Sequence, residues 1–360
     1  MPFAAEEWWH IKNKETSNVL LEFTFWLSQF RMPLLFFISG AVSYFMMQNR
    51  SALSFIGLRF RRLLLPLFFG MLIVVPPQVY MERVSQGFTG SFIDFYPSIF
   101  KGQAYPKGNT SWHHLWFIAY LFVYDLVAAP LFAWMISSKK FTQKLGWFAK
   151  GVRVYLFIIP SVILFTFLVP KFSRTNDLIH DYAFLPYWFL FLLVGFLCIS
   201  NALIMESLER NRRTSLLIGI LLLIGINYSR WNNLHEPIFI FPMIAWFWVL
   251  ALTGYGKKYL NKKNAISDYA TQAVYPFYIL HQTVIVILAF YVVQANDDVL
   301  TKYLFLSFTS LFLTIAIYHL LIRPYAVMRF IFGMKTAKKY EIHLSPGVRA
   351  AHLHQPAVSE

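Results

Sequence analysis

Long apolar runs separated by short polar stretches dominate the chain. With a window of about 19 residues, nine runs qualify as spans, at approximately residues 23–47, 63–80, 114–136, 152–170, 184–204, 214–230, 238–254, 273–293 and 300–322. About 20 apolar residues suffice to cross a bilayer. Inside it every backbone amide must be satisfied locally, so the runs are predicted to be helices. Pro33, Pro66, Pro160, Pro186, Pro242 and Pro276 lie within or at the ends of these runs, where neighbouring helices tolerate the kinks. The expected fold class is all-α, a polytopic membrane helical bundle with nine transmembrane helices. One domain is expected over 1–335, with a polar, proline-containing cytoplasmic tail over 336–360 that is predicted to be disordered.

Composition sharpens this picture. Hydrophobic residues make up 58% of the chain and charged residues 14%, against about 25% charged in ordinary soluble domains, which leaves no room for a separate soluble domain. The net charge of +15 would suggest nucleic acid on a soluble protein. Here the basic residues instead gather in every second gap. Segments 48–62, 137–153, 205–213, 255–272 and 323–360 hold 22 Lys and Arg, and the alternate segments hold 7. By the positive-inside rule the first set is cytoplasmic, with the C-terminus inside and Met1 outside, and no nucleic-acid partner is expected. A first helix entering from outside has nothing before it to carry its N-terminus across, so a tenth helix ahead of Met1 is expected. The first eighteen residues are polar and resemble no cleavable signal peptide. Cys198 is the single cysteine, which excludes disulfides and Cys-based metal sites. No metal site is expected.

Ionisable residues inside a bilayer are costly and are functional candidates by default. Arg31, near the outer boundary of the first span, suits a carboxylate or a sugar phosphate, or snorkels to the interface; Ser39 and Gly40 further along suit close helix packing. Arg59 and Arg62 are three apart, share a face if helical and form a phosphate clamp for an acyl-coenzyme A on the cytoplasmic side; a plain topology anchor is the alternative. His114 sits at the outer mouth of the third span, where it suits a general base or an aromatic belt. Asp125 lies eleven residues on, about 16 Å deeper. His281 lies about 12 Å into its span, at a similar depth, so it and Asp125 are candidates to pair. Trp116 belongs to an outer set of tryptophans that stack on sugars or line the interface. No Gly-x-Ser-x-Gly elbow, Walker loop, His-Glu-x-x-His or dinucleotide fingerprint is present.

Together, Phe-Arg-Met-Pro-Leu-Leu-Phe-Phe-Ile-Ser-Gly at 30–40, Arg-x-x-Arg at 59 and 62, His-Leu-Trp-Phe at 114–117, Tyr-x-x-x-His around His281 and Tyr-His-Leu-Leu-Ile-Arg-Pro at 318–324 resemble the acyltransferase 3 family of integral membrane proteins, in its glucans biosynthesis protein C-like branch. The resemblance implies ten helices in a bacterial plasma membrane. It also implies transfer of an acyl group, acetyl or succinyl in class, from a cytoplasmic acyl-CoA-type donor to a hydroxyl of an extracytoplasmic glycan. The donor is then a co-substrate, with no bound cofactor. On this reading Arg59 and Arg62 bind the donor, Arg31 and Trp116 face the acceptor, and His114, His281 and Asp125 serve the chemistry. Family members carry a further helix, with an arginine and a catalytic histidine, ahead of the Phe-Arg-Met-Pro region; this chain begins after that point. The rival expectations are a glycan transporter or flippase, and an inactive truncated member. Oligomeric state is not legible.

Overall fold

A computed structural model of the chain describes residues 2–5, 10–262 and 264–335; the expected tail over 336–360 lies outside the described residues. Among these residues the fold is helices joined by loops, and β-pairing is confined to isolated bridges, Ala4 with Ser17 and Ala104 with Thr110. Seven helices are long and apolar enough to cross a membrane: α1 Asn18–Met47, α2 Ala52–Ser85, α3 His113–Ser137, α7 Ala202–Trp231, α8 Ile240–Tyr259, α9 Ala265–Val292 and α10 Val299–Ile322. Between them lie α4 Lys139–Ala149, α5 Arg153–Leu168 and the 17-residue apolar α6 Phe184–Ser200.

Two expected spans differ in shape. The run at 152–170 becomes α5, which opens as a tighter 3-10 turn over Arg153–Ile158 before the α-helix Ile159–Leu168. Ahead of it, α4 meets it at 110° with Gly151 at φ +58 in the break, a conformation that glycine adopts without penalty. The run at 184–204 stops at Ser200, because the extended Asn201 caps the next helix by accepting from the Leu203 amide. At roughly 25 Å, α6 is shorter than a full bilayer crossing.

Local chemistry explains the other boundaries. Ser17, Asn264 and Asp298 cap α1, α9 and α10 through their side-chain oxygens, satisfying amides that a helix start leaves free. The expected span at 63–80 grows into the 34-residue α2, which contains two wide turns, Phe60–Leu64 and Gly70–Val74. Each wide turn precedes a proline, Pro66 or Pro76, whose ring cannot donate to the carbonyl four residues earlier. The Leu72 carbonyl, freed by Pro76, instead accepts the Tyr96 hydroxyl at 3.0 Å.

Packing centres on α1, which crosses α6, α8 and α3. Gly40 and Gly195 sit at the α1–α6 crossing: a Cβ on Gly40 would lie 1.9 Å from the Leu192 carbonyl oxygen, and one on Gly195 1.9 Å from that of Phe37. Small residues let membrane helices approach to backbone contact, as expected for Gly40. Aromatic rings fill the space around this crossing: Phe191 stacks on Trp246 at 4.1 Å and Phe132 on Phe196 at 3.9 Å. Outward, Phe305, Phe308 and Phe312 of α10 are exposed, an apolar face suited to lipid.

Candidate functional site

Among the polar clusters that interrupt the apolar core, three hold candidate chemistry. The deepest joins α1, α2 and α3. Asp125 is fully buried; its Oδ2 lies 2.7 Å from Arg59 Nε and its Oδ1 accepts the Ser43 hydroxyl at 2.8 Å. Arg59 Nη2 donates to Ser43 Oγ at 2.5 Å, closing a triangle. A buried carboxylate needs such a partner. The expected pairing of Asp125 with His281 is therefore corrected: Arg59 reaches Asp125 first.

The same geometry gives the two arginines expected to share a face different surroundings. The wide turn begins at Phe60, immediately after Arg59, and an i→i+5 turn shifts the angular phase of every residue beyond it. Arg59 points inward and is 5% exposed. Arg62, half-buried, stays within electrostatic reach of Arg59 as well as of Arg50 and Arg61, and Gly333 packs against its carbonyl.

The second cluster joins α2, α3 and α9. A side chain on Gly70 would collide with Leu115, so the glycine in the second wide turn lets α3 approach. His114 Nε2 lies 3.0 Å from the Ile279 carbonyl, which only accepts; Nε2 therefore carries the hydrogen, and Nδ1 accepts from Gln78 Nε2 at 3.4 Å. Gln78 also donates to Thr283 Oγ1 at 2.8 Å, and Thr283 to the Val74 carbonyl at 2.7 Å. The Tyr278 hydroxyl donates to the His114 carbonyl. Against this fixed ring His281 stands edge-on, centroids 5.2 Å apart at 89°. Its Nδ1 faces the Tyr278 carbonyl at 2.7 Å, so Nδ1 holds the hydrogen and Nε2 the lone pair. His281 lines a cavity of about 350 Å³ with Phe277, Tyr303, Ser307, Ser310 and Thr314. The structure thus brings His114 and His281 together and leaves Asp125 in a different cluster.

Arg31 lies within electrostatic reach of His281 and of Arg174. Trp116 is 8% exposed, with the Arg174 guanidinium 5.2 Å above its ring and Tyr120 edge-on at 5.0 Å. Its face is covered by an arginine, and sugar stacking there requires Arg174 to move.

The third cluster escaped sequence reading. Glu82 of α2 is 4% exposed; its Oε2 lies 2.6 Å from His10 Nδ1, and its Oε1 accepts the Tyr105 hydroxyl at 2.7 Å and the Gln86 amide at 3.3 Å. The His10 and His113 rings stack at 4.8 Å and 13°. His113 has φ +41, with Ser111 Oγ accepting its backbone N–H at 2.9 Å. Gln282, beside His281, places its amide 3.4 Å from His10 Nε2, so the second and third clusters adjoin. His113 was legible only as part of a tryptophan-flanked pair with His114, and Glu82 lay just past the end of an expected span.

A polytopic helical membrane protein with paired, half-buried histidines between its helices is the class that fold and site define. The chain belongs to the acyltransferase 3 family: residues 8–319 match its Acyltransferase domain. No curated protein and no solved structure matches the chain significantly. The protein is a membrane acyltransferase that transfers groups other than aminoacyl groups.

Proposed function

We propose that this acyltransferase moves an acyl group of the acetyl or succinyl class from an acyl-CoA-type donor to a hydroxyl of an extracytoplasmic glycan, in a bacterial plasma membrane. The donor enters from the Lys- and Arg-rich side, taken as cytoplasmic, and the C-terminus lies on that side. The observation that carries this reading is His281: its Nδ1 is committed to the Tyr278 carbonyl, its Nε2 keeps a lone pair, and the residue borders a cavity. A neutral imidazole oriented in this way is equipped for general-base catalysis.

In the proposed reaction His281 Nε2 takes the proton of the acceptor hydroxyl as its oxygen attacks the thioester carbonyl. The carbon–sulfur bond breaks, an ester bond forms, and the proton passes to the departing thiolate. Arg31, close by, favours the developing oxyanion electrostatically. His114 acts by holding the edge of His281, with Gln78 fixing its own tautomer. The transporter alternative relied on a relay between buried His and Asp; Asp125 is engaged by Arg59 instead.

His281→Gln keeps the volume and removes the base. Transfer of labelled acyl groups in purified membranes is expected to fall roughly 10²–10⁴-fold with donor binding unchanged; wild-type turnover in that variant would remove His281 from the mechanism. Arg62, not Arg59, is the clean test of donor binding, because Arg59 also neutralises Asp125. Loss of one charge-assisted phosphate contact costs about 1.5–3 kcal/mol, so Arg62→Ala is expected to weaken acyl-CoA binding roughly 10–150-fold. An unchanged affinity would place the donor phosphates elsewhere.

A further inference from the structure

We propose that His10, Glu82 and His113 form a binding site for a divalent transition-metal cation of the zinc class, separate from the acyl-transfer chemistry. One donor atom from each of the three residues lies within 4.8 Å of the other two. They come from three segments: the polar stretch before α1, the last turns of α2, and the start of α3. Tetrahedral zinc with bonds of about 2.0–2.2 Å holds its ligand atoms roughly 3.3–3.5 Å apart, so small side-chain rotations bring this set to coordination distance.

The hydrogen bonds indicate which atoms coordinate. Glu82 Oε1 is already engaged by Tyr105 and Gln86, which leaves Oε2 for a metal. His113 Nδ1 sits 2.6 Å from Ser111 Oγ, while its Nε2 is buried with no hydrogen-bond partner among the described residues. A buried imidazole nitrogen without a partner is costly, and a cation bound there supplies the partner. His10 offers Nδ1, the atom already 2.6 Å from Glu82 Oε2. When metal binds, the hydrogen between those two atoms is displaced, and His10 carries its hydrogen on Nε2, facing a Gln282 amide turned to accept.

Each ligand then has the supporting partner that metal sites use to fix ring orientation: Ser111 for His113, Gln282 for His10, and Tyr105 with Gln86 for Glu82. Two imidazoles and one carboxylate select zinc-class cations, whereas magnesium and calcium require mainly oxygen. Three protein ligands leave a fourth position for water. The sequence indicated no such site because its ligands are 72 and 31 residues apart, with no local spacing to recognise.

The test uses the full chain purified in detergent with an affinity tag that contains no histidine, stripped with a chelator and titrated with zinc chloride by calorimetry. About one zinc per chain is expected, with no competition from magnesium. His113→Ala is expected to weaken binding by more than the roughly 10–100-fold that loss of a supporting partner costs, and Tyr105→Phe by about that range. The exposed His180, with its neighbour Asp177, is the control for adventitious binding, and His180→Ala should change nothing. Glu82→Gln, nearly isosteric, keeps the test informative if an alanine variant misfolds. The proposal is overturned by the absence of saturable binding tighter than roughly 10 μM. Affinity that survives both His113→Ala and Glu82→Gln overturns it equally.

Discussion

Replacing Asp125 with Ala is expected to abolish accumulation of folded protein. The carboxylate is fully buried and is the ion-pair partner of Arg59, itself 5% exposed. Removing one member of such a pair strands the other, at a cost of about 3–5 kcal/mol. That is a large fraction of the 5–15 kcal/mol that stabilises a typical domain. Arg59 cannot withdraw easily, because the wide turn that starts at Phe60 aims it inward and Phe55 lies beneath its guanidinium at 5.3 Å. The double variant Asp125→Leu with Arg59→Met removes both charges and is expected to restore folding, since apolar replacement of a whole buried pair is often neutral or stabilising. Expression level and thermal unfolding in detergent measure both outcomes. A single Asp125→Ala variant as stable as wild type would show that the pair contributes nothing to the fold. If the double variant folds yet transfers no acyl group, the pair has a role beyond stability.

The second large effect is expected where α1 meets α6. Gly40→Val and Gly195→Val each drive a branched side chain into the facing backbone, where a single added carbon would already lie 1.9 Å from a carbonyl oxygen. Backbone has no rotamer with which to yield, so the helices must separate. The aromatic packing around the crossing, including Phe36 on Trp188 at 5.9 Å, separates with them. Even Gly→Ala at either site is expected to lower the unfolding temperature. Gly57, near the start of α2, has nothing within 4 Å of the position a Cβ would take, so Gly57→Ala should be neutral or slightly stabilising, as a helical alanine generally is relative to glycine. Folding of Gly40→Val at wild-type temperature would mean that the crossing is looser than this geometry.

Much of the architecture was legible from short segments alone. The seven long helices follow the apolar runs, since the need to satisfy backbone groups inside the run is a local requirement. Gly40 was likewise legible as a contact point from its small size in an apolar helix. The wide turns in α2 were not read in advance, although Pro66 and Pro76 mark them. They leave Arg59 buried and Arg62 half-buried, a difference the three-residue spacing does not show. The bend between α4 and α5 falls in the Lys- and Arg-rich stretch ahead of the expected span at 152–170, where no apolar run gives a helix direction to read.

The sequence by itself therefore determined the class of protein, the approximate spans and the identity of the costly polar residues, because partition into a bilayer acts on about 20 consecutive residues at a time. Only the tertiary structure decided which polar residue meets which. Arg59 joins Asp125 and Ser43, His281 stands against His114, and His10 comes to Glu82 and His113. Those encounters depend on how far each helix is rotated about its axis. That rotation is set by wide turns, glycine crossings and packed rings contributed from distant parts of the chain.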